Sequence, residues 1–411
     1  MNVQFEERPA QQGYRIGIAT LDAEKSLNAL SLPMIEALDA RLSAWADDPS
    51  IACVLLRGSG SKAFCAGGDV VQLVQQCREH PGEVPPLARR FFADEYRLDH
   101  RIHGFPKPLL CWGHGHVLGG GMGLLQGANV RIVTPSSRLG MPEINIGLYP
   151  DVGGSWFLPR LPGKLGLFLG LTAAQINARD ALDLDLADRF LHDDQQEALL
   201  QGLEQLNWQE QPQRQLNSLL RALEQESRDA LPDAQWLPRR ARIDSLLDVA
   251  DLPSAWQALT ALQGDDDALL ARAAKTLANG CPLSAHLVWE QIQRARHLSL
   301  AEVFRMEYAM SLNCCRHWMT KTTEQDGASL PCGKLARFIP SGTHYSRARQ
   351  RETERERCFP YRALRSGTDV RRSSPLQTSC ATAASMASAQ MAFSQSGCAI
   401  MSSQITRSSG R

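Results

Sequence analysis

The 411-residue sequence predicts an α/β protein, and three observations carry that prediction. Short β-branched-rich runs alternate with stretches of helical spacing. Two glycine runs each stand just ahead of a helical stretch. Beyond residue 192 the strand signals stop, while helical ones continue to about residue 317.

Residues 14–21 (YRIGIATL) and 51–57 (IACVLLR) read as strands, followed by 109–112 and 130–133. Between the first two, residues 31–45 place apolar side chains at helical spacing. Ser31 suits the N-cap there, and Pro33 the first turn. Residues 119–128 form a second helix. This alternation assigns residues 1–192 to an α/β domain. From 193 to 317 Leu, Ala, Gln and Arg dominate, and helices are expected around 195–206, 214–224 and 300–312. These make a helical accessory region whose glutamines belong to solvated faces.

With 43% hydrophobic and 21% charged residues, the composition is that of an ordinary soluble protein with room for two or three domains. The zero net charge hides an asymmetry. Residues 1–317 carry 30 Lys+Arg against 38 Asp+Glu, and residues 318–411 carry 14 against 6. An acidic body predicts no nucleic-acid partner. Eleven cysteines without a CxxC pair point to a reducing compartment. The chain shows no secretory or transit-peptide pattern at its start and no long apolar stretch, so a cytoplasmic protein without a membrane partner is expected. After His317 the character changes. Leu, Ile, Val and Phe together number 11 in 94 residues, whereas Ser alone numbers 15. That is too little to bury a core, so the tail reads as disordered and atypical.

Two features suggest chemistry at a carbonyl. Gly67-Gly68 and Gly119-Gly120-Gly121 precede helices, whose first N–H groups lack intrahelical partners. Without a Cβ in the way, such amides can hold an oxyanion. Tight turns or close helix packing would use the same glycines. Pro142-Glu143 and Pro150-Asp151 then place two acids in a glycine-bounded loop, where they could attack, move protons or simply cap helices. His114 and His116 could share a strand face, but no nearby acid or cysteine completes a metal site, and none is expected. Cys65 lacks an indicated base. There is no GxGxxG fingerprint and no GxSxG elbow.

Taken together, Asn28-Ala29-Leu30, the run from Ala63 to Asp69, Gly119 to Gly121 and the run from Pro142 to Gly147 resemble the crotonase (enoyl-CoA hydratase/isomerase) superfamily over roughly residues 10–195. The resemblance implies a spiral of ββα turns and an acyl-CoA partner, with CoA as part of the substrate and no separate cofactor. It puts the thioester oxygen between the amides of Gly68 and Gly120. Hydratases of the superfamily carry one acid two residues past the glycine run, and here that residue is Gly123. Asp151, eight residues beyond Glu143, and the run from Tyr149 to Leu161 instead resemble the 3-hydroxyisobutyryl-CoA hydrolases, thioesterases of valine breakdown. Asp94-Glu95-Tyr96 and the run from Glu307 to Ser311 extend that likeness to about residue 317. It implies that Glu95 and Asp151 contact the acyl 3-hydroxyl. It further implies that Glu143 attacks the thioester or activates water, and it makes Asp151 the expected proton donor to the departing thiolate. Lys25 is a candidate for the CoA phosphates. A hydratase or isomerase using Glu143 alone, or a chain that binds acyl-CoA without turnover, are the competing readings. After His317 the likeness ends, and the tail reads as the product of a frame shift near codon 317. In relatives that part supports subunit packing, which leaves a homo-oligomer open.

Overall fold

Burial on both faces of a sheet explains why the predicted strands are nearly continuous apolar runs. A computed structural model describes residues 2–317, so the expectations for the tail fall outside the described residues. Nine strands are present there: β1 (Val3–Pro9), β2 (Arg15–Leu21), β3 (Ile51–Gly58), β4 (Ala63–Cys65), β5 (Leu109–Gly113), β6 (His116–Leu118), β7 (Val130–Val133), β8 (Arg138–Gly140) and β9 (Arg189–Phe190). They form a six-stranded sheet ordered β1-β2-β3-β5-β7-β9 and a three-stranded sheet ordered β4-β6-β8. Only the β1–β2 pair is antiparallel.

Helices α1 (Leu32–Asp47), α2 (Val70–Glu79), α3 (Pro86–His103) and α4 (Gly120–Gly127) lie between these strands. Short helices α5 (Gly154–Phe157), α6 (Leu165–Thr172) and α7 (Ala178–Asp183) come after β8. Seven more follow β9: α8 (Gln196–Gln205), α9 (Pro212–Ser227), α10 (Arg240–Leu246), α11 (Leu252–Thr260), α12 (Ala268–Asn279), α13 (Pro282–Ala295) and α14 (Leu300–His317). Each pair β3–β4, β5–β6 and β7–β8 gives one strand to each sheet and is followed by helix. This is the expected ββα spiral.

The period of two along each strand assigns side chains to opposite faces. Ile16, Ile18 and Leu55 pack against Leu199, Leu200 and Leu203 of α8 and Leu216, Leu220 and Leu223 of α9. Leu21, Val54 and Leu56 face the other way, into the larger core shared with Met34, Leu38 and Trp45 of α1 and with α10 to α14. Among the described residues no helix is long and apolar enough to cross a membrane.

The predicted strands and helices occur within a few residues of their expected ends. Ser31 does occupy the N-cap of α1, but its side chain makes no capping bond. The cap at α2 comes instead from Asp69, which accepts from the Val71 amide. Sequence periodicity missed β4, β6, β8 and β9, because two or three residues cannot display a period, and it missed β1, whose sequence VQFEERP carries charges at three of seven positions. It also missed α3, the helix that carries Glu95.

Close approach of α4 to β4 depends on Gly121, where a Cβ would stand 2.4 Å from the Cys65 carbonyl oxygen. Gly121→Ala should therefore cost about 1–3 kcal/mol through backbone displacement. Urea unfolding measures this, and an unchanged midpoint would contradict the packing described.

Candidate active site

The two glycine runs meet. Leu30 N–H donates to the Gly67 carbonyl at 2.8 Å, and Asp69 N–H to the Leu30 carbonyl at 2.7 Å, which ties down the loop between them. Asn28, in the left-handed region at φ +57, sends its Nδ2 to the Ser59 and Ala63 carbonyls at 2.9 Å each. The Asn-Ala-Leu sequence thus braces the first glycine run from below. Across from it, a Cβ on Gly120 would lie 3.4 Å from the Gly68 nitrogen. Gly68 N–H and Gly120 N–H donate to no group among the described residues. Gly120 also opens α4, so the helix dipole favours negative charge there. These are two free donors on facing backbones, as an oxyanion requires.

Three acids surround them. Glu143 begins a tight 3-10 turn, Glu143–Ile146, closed by Gly147 at φ +74. Its Oε1 lies 2.7 Å from where a Gly119 Cβ would be, and its Oε2 has no partner among the described residues. Glu95, on the inner face of α3, brings Oε1 within 2.8 Å of a Cβ built on Gly120. Its neighbour Asp94 faces outward to Arg97 at 2.6 Å. Asp151 accepts a hydrogen bond from the Tyr96 hydroxyl at 2.6 Å. All three acids are buried.

Burial, reinforced by Asp151, holds both Glu143 and Glu95 well above the usual carboxylate range. For Asp151 burial acts against the Tyr96 hydrogen bond, and the result is about 6. The group therefore holds few charges at once, and proton exchange within it is easy near neutral pH.

The loop bearing Asp151 is strained. Val152 has φ +48, a left-handed conformation that a β-branched residue rarely adopts, and Gly153 follows at +87. Glu307, from α14, fixes it in place. Its Oε2 accepts from Gly153 N–H at 2.8 Å and its Oε1 from Ser155 N–H at 2.9 Å. Gln291 of α13 donates to the Pro150 carbonyl at 2.7 Å. Ser311 completes the brace, 2.7 Å from the Tyr96 hydroxyl and 2.9 Å from that of Tyr149.

The structure thus brings Gly68, Gly120, Glu95, Glu143 and Asp151 to one place. Position 123 is glycine, and the space a side chain would take there is filled by Val152 and by the carboxyl of Asp99. Sequence reading assigned no role to Tyr96, Asp99 or Ser311. A signal existed for the first two, since polar residues at 95, 96 and 99 interrupt an apolar face, but α3 had not been identified. Burial pushes the Cys65 thiol up to about 12, so it stays a neutral packing group. His114 bonds the Gly60 carbonyl at 3.0 Å. Among the described residues no group of three or more His, Cys, Asp or Glu is placed to hold a metal. Lys25 is exposed on a turn, Glu24–Ser26.

A family model described as enoyl-CoA hydratase/isomerase matches residues 16–325. Among curated proteins, the mitochondrial 3-hydroxyisobutyryl-CoA hydrolase of Danio rerio is 36% identical over 302 residues, covering 73% of this chain and 76% of that protein. The Homo sapiens protein of the same name is 33% identical over 301 residues, with the same coverage. Two solved structures are also similar. A carnitinyl-CoA dehydratase from Mycobacterium thermoresistibile has a TM-score of 0.71 at 30% identity, covering 83% of this chain and 96% of that one. An enoyl-CoA hydratase from Rhodobacter sphaeroides has a TM-score of 0.64 at 29% identity, covering 84% and 98%.

Because Asp151 binds its proton more tightly in the fold than an ordinary carboxyl at 3.8, its burial weakens the fold as pH rises from about 4 to about 6. Asp151→Asn cannot ionise, so it should be more stable than the parent at neutral pH, by up to about 3 kcal/mol. The gap should close toward about pH 4. Denaturant unfolding at both values checks this, and a gap independent of pH would refute it.

Proposed function

The chain belongs to the enoyl-CoA hydratase/isomerase family, and from that membership we propose that it is a CoA thioester hydrolase acting on 3-hydroxyisobutyryl-CoA. One observation carries the choice of reaction. Glu143 and Asp151 lie buried beside two free glycine amides, while position 123 offers no acid of its own. Adding water across a double bond calls for an acid at that position, as the resemblance implies. Cleaving a C–S bond requires an oxyanion site, a nucleophile or base, and a proton for sulfur. The names of the curated relatives support the substrate.

In the proposed sequence the thioester oxygen accepts from Gly68 and Gly120 N–H, and Glu95 and Asp151 contact the acyl hydroxyl. Glu143, through its unpartnered Oε2, attacks the carbonyl carbon or takes a proton from a water that does so. The C–S bond breaks and its electron pair leaves on sulfur. The reacting form is the one in which the proton shared by this cluster sits on Asp151 and Glu143 is ionised. An ordinary thiol has a pKa of roughly 8.5, above Asp151 at about 6, so that proton then passes to the thiolate downhill. If an acyl-glutamyl anhydride has formed, water cleaves it. Its oxygen stays with the acid product, and its spare proton restores Asp151; on the direct-water route the proton that Glu143 took passes to Asp151 instead. Nothing beyond the substrate's own CoA is needed, and no cofactor is proposed.

We place the protein in the cytoplasm, following the eleven dispersed cysteines without a CxxC pair in the sequence. The curated relatives carry "mitochondrial" in their names, so cell fractionation decides between the two. Assembly with identical subunits is part of the proposal and is read by sedimentation.

Thiol release from 3-hydroxyisobutyryl-CoA, measured for the full chain and for one ending at His317, tests the reaction. No release from either would end it. Loss of crotonyl-CoA absorbance would transfer the assignment to a hydratase, and binding without either reaction to a chain that only binds. In the active form, Glu143→Gln should lower turnover at least about 10³-fold while CoA affinity changes less than about threefold. Near-normal turnover in that variant would remove Glu143 from its role.

A further inference from the structure

Asp99 sits one helical turn beyond Glu95 on α3, so both side chains leave the same face. Gly123 likewise sits one turn beyond Gly120 on α4. The contacts pair them: Glu95 lies against Gly120, and both oxygens of Asp99 lie 3.0 Å from a Cβ built on Gly123. Asp99 is therefore displaced from the oxyanion site by about one helical pitch, roughly 5.4 Å. A hydroxyl on the third carbon of an acyl group is three bonds from the carbonyl carbon, so an acyl chain that extends from the oxyanion site past Gly120 toward Gly123 carries it between Glu95 and Asp99.

The Asp99 side chain is buried, yet neither oxygen has a hydrogen-bond partner among the described residues. Protein interiors rarely leave a carboxyl in that condition unless a ligand or water completes it. The groups whose charge reaches it are Glu95, Asp151 and Glu307, and together with burial they raise its proton affinity. A protonated carboxyl has one donor and remaining acceptor capacity, which matches a hydroxyl.

We propose that Asp99 is a specificity-determining residue that binds the acyl 3-hydroxyl and so selects 3-hydroxyacyl over unsubstituted acyl thioesters. The proposal rests on the acyl-CoA reading above. It adds a partner on the far side of the hydroxyl from the oxyanion site. Val152, 2.7 Å from the same Gly123 Cβ position, packs beside it.

The test uses binding rather than turnover, so that it stays separate from the hydrolase assignment. The probes are two non-hydrolysable CoA analogues in which a methylene stands between carbonyl and sulfur, one carrying the 3-hydroxyisobutyryl group and one the isobutyryl group. Calorimetry on the full chain should show the hydroxylated analogue binding at least about tenfold tighter. Asp99→Ala should bring the two within about threefold by weakening only the hydroxylated one. Asp99→Leu fills the space and serves if the alanine variant fails to fold. Asp99→Asn keeps a donor and an acceptor and should retain most of the preference. Equal affinities in the parent protein would overturn the proposal. So would a preference that survives in the alanine or leucine variant, or equal weakening of both analogues, which would mark Asp99 as a packing residue. Thiol release without hydroxyl preference would leave the hydrolase reading standing and remove this one alone.

Discussion

The site depends on the bonds between the Glu307 carboxylate and the amides of Gly153 and Ser155. Val152 and Gly153 hold a left-handed backbone, and one of them is β-branched, so the 151–155 segment does not favour this shape by itself. The carboxylate satisfies both donors at the start of α5 and fixes where Asp151 points. Those bonds join residues about 150 positions apart. Ser311, one turn further along α14, ties Tyr96 and Tyr149 into the same arrangement. The helical part of the chain is thus a wall of the site as well as an addition to the spiral.

A second constraint is electrostatic. Glu95, Asp99, Glu143, Asp151 and Glu307 are all buried, and burial raises the proton affinity of every one. Each negative charge also discourages the next. Accepted hydrogen bonds offset this only in part. Glu307 accepts from two amides and still rises to about 8, while Asp151, with one phenolic donor, reaches about 6. Glu143 and Asp99 retain unpartnered oxygens. Such a cluster costs stability, and it holds unpartnered carboxyl oxygens and exchangeable protons in one buried volume. The stability cost and the proposed chemistry have the same origin.

Much of this was legible beforehand. The four longer predicted strands, the first helix and the glycine–helix junctions follow from periodicity and from glycine's lack of a Cβ, both local properties of the chain. The Pro-Glu and Pro-Asp pair could be recognised as two acids in one loop. What could not be recognised was the pairing of Glu95 with Gly120, or of Asp99 with Gly123, because each joins two helices with no local sign of their meeting. The three-residue strands were equally hidden, since their pairing rather than their composition makes them strands.

By itself the sequence determined the α/β class, the family and the list of acids and glycines from which a site could be built. Those are matters of residue type and near-neighbour spacing. Only the tertiary structure decided which acids share one buried volume, which oxygens stay unpaired, and that α14 holds the Asp151 loop in a strained shape. Proton affinity and reach depend on burial and on partners distant in the chain, and the fold alone brings those together.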